Sequence, residues 1–147
     1  PYLIGVDLGV GIPIYDEYAD AGLDFQLGLD FAYPLTNKFA LGCYMSAGGG
    51  FCLCMDGLYK FSAGILMELG DLHDRPFLLG FGPCLGYGYT DWPEFLPFEF
   101  RFGRVFSNNW YMMGEIVCGV PFYGDYYIEP AIRIGYNFGH KTYSRKR

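Results

Sequence analysis

The last strand-like run of the chain, residues 126–138, alternates strictly. Its even positions read Tyr126, Ile128, Pro130, Ile132, Ile134, Tyr136 and Phe138, and its odd positions Tyr127, Glu129, Ala131, Arg133, Gly135 and Asn137. A period of two places these sets on opposite faces of one strand. One face is apolar and ends in aromatics; the other is small, charged or amide.

The pattern recurs upstream. Residues 2–13 set Ile4, Val6, Leu8 and Val10 against Gly5, Asp7, Gly9 and Gly11. In 23–33, Leu23, Phe25, Leu27, Leu29, Phe31 and Tyr33 alternate with Asp24, Gln26, Gly28, Asp30 and Ala32. Residues 39–47 place Phe39, Leu41, Cys43 and Met45 opposite Ala40, Gly42, Tyr44 and Ser46, and the three glycines at 48–50 are expected to break that strand. A fourth runs over 58–69, with Tyr59, Phe61 and Ile65 against Lys60, Ser62, Gly64 and Glu68; residues 51–55 keep its parity and are read as its extension. Three more follow over 77–89, from about 96 to 106, and over 110–122. In these, Phe81, Phe98, Phe100, Phe102 and Ile116 oppose Gly80, Cys84, Glu99, Arg101 and Glu115. Turn-rich segments at 34–38, 70–76 and 107–109 alternate with links at 14–22, 48–57, 90–95 and 123–125. The expectation is an all-β chain of eight antiparallel strands in up-and-down order.

What stands opposite the apolar face decides where that face points. It is mainly Gly, Ala and Ser with scattered charges, unlike the Lys, Glu and Thr coat of a soluble β surface. The interior of an eight-stranded barrel is just wide enough for side chains to fill. The phenylalanines of the apolar set would overfill it, whereas small residues mixed with a few long ones fit. The apolar face is therefore assigned to lipid and the mixed face to the lumen. Ten residues at ~3.3 Å, tilted by ~40°, span roughly 25 Å, the apolar height of a membrane barrel. Aromatics gather at both strand ends: Tyr33, Phe77, Phe106, Trp110, Tyr136 and Phe138 at one rim, Tyr59, Tyr87, Tyr89, Phe122 and Tyr126 at the other.

Composition agrees. Hydrophobic residues make up 52% of the 147, yet they are dispersed at strand period rather than collected into a membrane helix. A net charge of −6, with no basic patch among aromatics, argues against nucleic acid. The five cysteines include no CxxC pair, so neither a zinc site nor a disulfide framework is indicated, and no cofactor or metal is expected. Cys52 with Cys54, or one of them with Cys84, are possible local pairs; Cys43 and Cys118 read as small apolar residues.

The closing segment 132–138, Ile-Arg-Ile-Gly-Tyr-Asn-Phe, together with the eight alternating runs, resembles the small eight-stranded outer-membrane barrels of the OmpA and OmpX type. The resemblance covers residues 2–138. It implies a transmembrane barrel over 1–139 in a bacterial outer membrane, with the termini and the turns at 34–38, 70–76 and 107–109 periplasmic. The family usually stops at the final Phe; here a basic tail, 140–147, follows and is expected to be periplasmic.

The inward charges are the candidate functional set. Asp7, Arg101, Glu115 and Arg133 fall near one level, joined by Glu99, Glu129 and Lys60, with Asp24, Asp30 and Glu68 also facing inward. Buried charges must be paired, so carboxylate–guanidinium bridges are expected to plug the lumen. The expected plug is structural rather than a gate or proton path, since eight strands leave no channel. Pro83, Pro97, Pro121 and Pro130 lack the N–H that a closed ladder uses, and bulges or rim positions are expected there.

The reading that results is a non-enzymatic outer-membrane barrel without an open pore. It would be structural or an accessory subunit of a larger outer-membrane complex, with membrane lipids as its other partners. The alternative is a lipid-modifying enzyme. His140 with Ser144 resembles the His and Ser of outer-membrane lipid A hydrolases, and His73 lies at the same end, but such chemistry needs nucleophile, base and orienter within hydrogen-bond reach. A soluble lipocalin-like ligand-binding barrel is the third reading.

Overall fold

The computed structural model describes residues 3–15, 20–52, 55–87, 93–95, 98–107, 109–119 and 127–139. Among the described residues there are ten strands: β1 (Leu3–Gly11), β2 (Ile14–Tyr15), β3 (Asp20–Thr36), β4 (Phe39–Cys52), β5 (Met55–Leu69), β6 (Phe77–Tyr87), β7 (Pro93–Phe95), β8 (Phe98–Ser107), β9 (Trp110–Gly119) and β10 (Tyr127–Asn137). Eight long strands close into one antiparallel barrel, each paired with its neighbour in the chain. The two-residue β2 and three-residue β7 extend the wall at the end away from the termini.

Closure is made by β1, which pairs with β3 on one side and β10 on the other, from Gly5↔Asn137 to Gly11↔Ala131. Asn137 fastens that seam, because its side-chain Oδ1 accepts from Ile4 N at 3.0 Å and Gly139 N at 2.8 Å. Phe138 N donates to Ile4 O at 2.7 Å just beyond it. Among the described residues every long strand is paired on both sides and no edge is left open, as an apolar solvent requires.

Burial follows the alternation. In β1 the pattern is strictly buried–exposed throughout. The apolar set points outward: Phe25, Phe81, Phe100, Phe102 and Ile132 are all exposed, Ile132 at 62%.

Three expectations need correction. The glycines at 48–50 do not end a strand, since β4 runs through them and pairs with β3 as far as Cys52. Gly50 and Gly48 are there for close approach: a Cβ on either would run into the carbonyl of Leu23 or Phe25 on β3. Phe51 and Cys52 accordingly belong to β4 and Met55 to β5, so these residues are divided between two strands rather than extending one. Pro83 sits neither at a rim nor in a bulge. The β5–β6 ladder pairs Ser62↔Cys84 and Ile65↔Phe81 in one unbroken register, and the positions between them go unpaired. The missing N–H is thus absorbed by a gap in the ladder. Gly82 packs there against the backbone of Ala63 and Gly64.

Pro130 lies where β1 has ended, with its carbonyl accepting from Ile12 N at 2.9 Å. Pro97 and Pro121 lie outside the described residues.

Candidate functional site: the filled lumen

Two layers of side chains fill the barrel. At the end carrying the termini, Leu3, Ala32, Ala40, Leu66, Leu78, Val105 and Met113 form an apolar layer. It is corked by Leu72, which is 1% exposed although it belongs to the 70–76 turn. That turn is folded over the neighbouring hairpin: Gly70 N donates to Lys38 O and Leu72 N to Asn37 O. Gly70 has φ 103°, a conformation that favours glycine, and the Asp71 carboxylate accepts from His73 N at 3.0 Å.

Above this layer lies the charged one. Glu115 is its hub. Its Oε2 is 2.7 Å from Arg133 Nη1 and 3.4 Å from Arg101 Nε, and its Oε1 is 3.5 Å from Lys60 Nζ. Asp7 holds Arg133 through Nε at 2.6 Å and lies 3.9 Å from Arg101 Nη1. Glu99 takes Arg101 Nε at 2.7 Å, and Glu129 takes Lys60 Nζ at 2.8 Å. The sequence-derived set, Asp7, Lys60, Glu99, Arg101, Glu115, Glu129 and Arg133, therefore stands as one contiguous cluster, no member more than 2% exposed.

Register explains how these groups meet. Arg101 and Glu115 are direct cross-strand partners on β8 and β9. Each base is given room by glycines on the adjoining strands: Arg133 faces Gly9, Arg101 faces Gly80, and Lys60 lies between Gly48 and Gly86. Large cations alternate with absent side chains, which is how a narrow lumen accepts three of them.

Several members of this layer were not anticipated as partners. Asp24 lies 3.2 Å from Lys60 Nζ. Gln26 receives Arg133 Nη1 at 2.5 Å and donates to Asp24 Oδ2 at 2.6 Å. Asp30 accepts from Tyr111 OH at 2.5 Å. The paired hydroxyls of Ser46 and Ser62, 2.6 Å apart, cap Arg101 Nη2, and the Tyr44 ring lies 3.8 Å from its guanidinium carbon. Tyr44 and Tyr111 occupy the space left by Gly64, Gly80, Gly5 and Gly135. The signal was the inward parity of both tyrosines, which marks the face but not the partner.

On the outer surface, Trp110, Tyr136 and Phe138 form an edge-to-face row with centroids 5.1 and 4.9 Å apart at the rim near the termini. Elsewhere on the outer face, Cys43 and Cys118 are exposed as free thiols. Cys84 is buried with a free thiol, so the suggested pairing with it does not form. The side chain of Cys52, with Cys54, His140 and Ser144, lies outside the described residues, as do Tyr89, Phe122 and Tyr126. His73 is exposed in the 70–76 turn. Among the described residues no group of acids, histidines and cysteines is arranged to hold a metal.

No protein-family model matches the chain, and no curated protein matches its sequence. Solved structures do. The outer-membrane enzyme PagL superposes with a TM-score of 0.56 at 16% identity, over 90% of this chain and 99% of that one. The N-terminal β-barrel domain of Pseudomonas aeruginosa OprF superposes with a TM-score of 0.51 at 10% identity, over 92% and 100%. At these identities the likeness concerns the fold. With its closed wall and outward apolar face, the chain has the fold of the small eight-stranded outer-membrane β-barrels.

Proposed function

We propose that this is a non-catalytic outer-membrane barrel without an open pore, serving as a structural element or as an accessory subunit of a larger complex. The observation that carries the reading is the lumen itself. Glu115 contacts Lys60, Arg101 and Arg133 at once, and an apolar layer corked by Leu72 lies beneath. A shared hub holds the charged layer as one block, so water or solute passing through would have to break several buried ion pairs together. The links between strands are short, which leaves little apparatus for a large external ligand. The termini are assigned to the periplasm, where the basic tail at 140–147 is available to a partner.

Three measurements test this reading. Reconstituted in planar bilayers, the protein is expected to give no steady conductance; stable channel openings from the unmodified protein would overturn the plug. Lipid A from membranes overproducing the protein is expected to keep its acyl pattern, and loss of an acyl chain would establish the lipid-modifying alternative. Cross-linking in intact cells followed by detergent extraction is expected to capture an outer-membrane or periplasmic protein through the tail.

A further inference from the structure

The outward row of β9 is interrupted by a glycine. Along β9 the outward row runs Trp110, Met112, Gly114, Ile116, Cys118, so Gly114 leaves a notch in an otherwise bulky wall. Phe102 on β8 lies against that glycine, since a Cβ there would come within 2.9 Å of its ring. Between this contact and the rim opens an apolar groove of about 530 Å³, walled by Phe77, Phe102, Phe106 and Met112.

One charge stands at the groove. Arg104 is the cation of the outward row Phe98, Phe100, Phe102, Arg104, Phe106. Its guanidinium is fixed from two sides: Nε donates to Arg75 O at 3.1 Å, and Cζ lies 4.8 Å from the centre of the Phe77 ring. Neither contact uses the two terminal nitrogens, and Arg104 forms no ion pair with a described acidic residue. A held, exposed guanidinium above an apolar trough matches a molecule with an anionic head and a hydrocarbon tail. The surroundings supply such molecules, because the rim carries the interfacial aromatics Trp110, Tyr136 and Phe138.

We propose that this groove holds one acyl chain of an anionic phospholipid whose phosphate is received by Arg104. Arg104 sets the headgroup at the interface, and Gly114, by seating the Phe102 ring against the wall, keeps that ring out of the groove. The proposal rests on the reading that this rim faces the periplasm, where the adjoining leaflet is phospholipid.

The test is native mass spectrometry of the detergent-solubilised full chain, presented in turn with phosphatidylglycerol, phosphatidylethanolamine and lipid A. The expected result is a single retained phosphatidylglycerol, favoured roughly five- to tenfold over phosphatidylethanolamine, whose phosphate is the same but whose ammonium is repelled by Arg104. Arg104→Gln should bring the two phospholipids level, and Gly114→Val, which drives Phe102 into the groove, should reduce retention of both. Heat-modifiable migration of each variant reports whether the barrel is intact. Equal retention of both phospholipids by the unmodified protein, unaltered by Arg104→Gln, would reduce the groove to ordinary lipid contact and overturn the proposal. Preference for lipid A would also overturn it, and would in addition reverse the assigned orientation.

Discussion

Arg133 Nη1 donates to Glu115 Oε2 at 2.7 Å across the boundary between β10 and β9, and neither side chain has exposed surface. Removing one member of such a pair leaves a charge buried without compensation, which costs about 3–5 kcal/mol. Arg133→Met is therefore expected to lose that much stability in urea titrations of the protein in lipid vesicles. Arg133→Met combined with Glu115→Gln should recover part of it. An additive double variant would show that the two residues do not act as a pair.

Glu115 should be the most sensitive carboxyl of the lumen, because it contacts Lys60, Arg101 and Arg133 together. Glu115→Ala is expected to destabilise the barrel by several kcal/mol, more than Asp24→Ala, whose partners are Lys60 and Gln26. The same denaturation series ranks them, and the reverse order would remove Glu115 from the centre of the network.

Tyr111→Phe tests the edge of that network with little change in volume. The hydroxyl donates to Asp30 at 2.5 Å, and its loss leaves a buried carboxyl oxygen without that donor. The expected cost is about 1–3 kcal/mol. A neutral result would show that Asp30 is satisfied by other means.

Gly42 separates crowding from simple flexibility. A Cβ there would strike the carbonyl of Phe31 on β3, so Gly42→Val is expected to abolish the heat-modifiable form. Gly70 has φ 103° and open space around it, so Gly70→Ala should fold and lose only about 1 kcal/mol. Equal behaviour of the two variants would contradict the close packing of β3 on β4.

The alternation of residues such as Leu27 and Gly28 made the wall, its eight long strands and the two faces legible, because period two is a property of the strand alone. What stayed hidden depends on how neighbouring strands are staggered. The glycines at 48–50 read locally as a strand break, and their real reason, the backbone of β3 at Phe25 and Leu23, lies more than twenty residues away. Pro83 looked incompatible with a closed ladder, yet the wall omits two pairs without changing register. Inward parity placed Gln26, Tyr44 and Tyr111 in the lumen. Register alone brings Gln26 to Arg133, Tyr44 over Arg101 and Tyr111 to Asp30. Leu72 was hidden for a different reason: it sits in a turn, where strand period says nothing.

If the apolar outer face meets lipid, a spin-label accessibility scan along β10 will show it. Single cysteines placed at 128–136 in a cysteine-free background, reconstituted in vesicles, report collision with oxygen, which concentrates in lipid, and with a water-soluble nickel complex. Positions 128, 132 and 134 are expected to be open to oxygen and closed to nickel. Positions 129, 131, 133 and 135 should be shielded from both. Ready collision of the nickel complex with labels at 132 and 134 would place Ile132 and Ile134 in water and contradict the transmembrane reading.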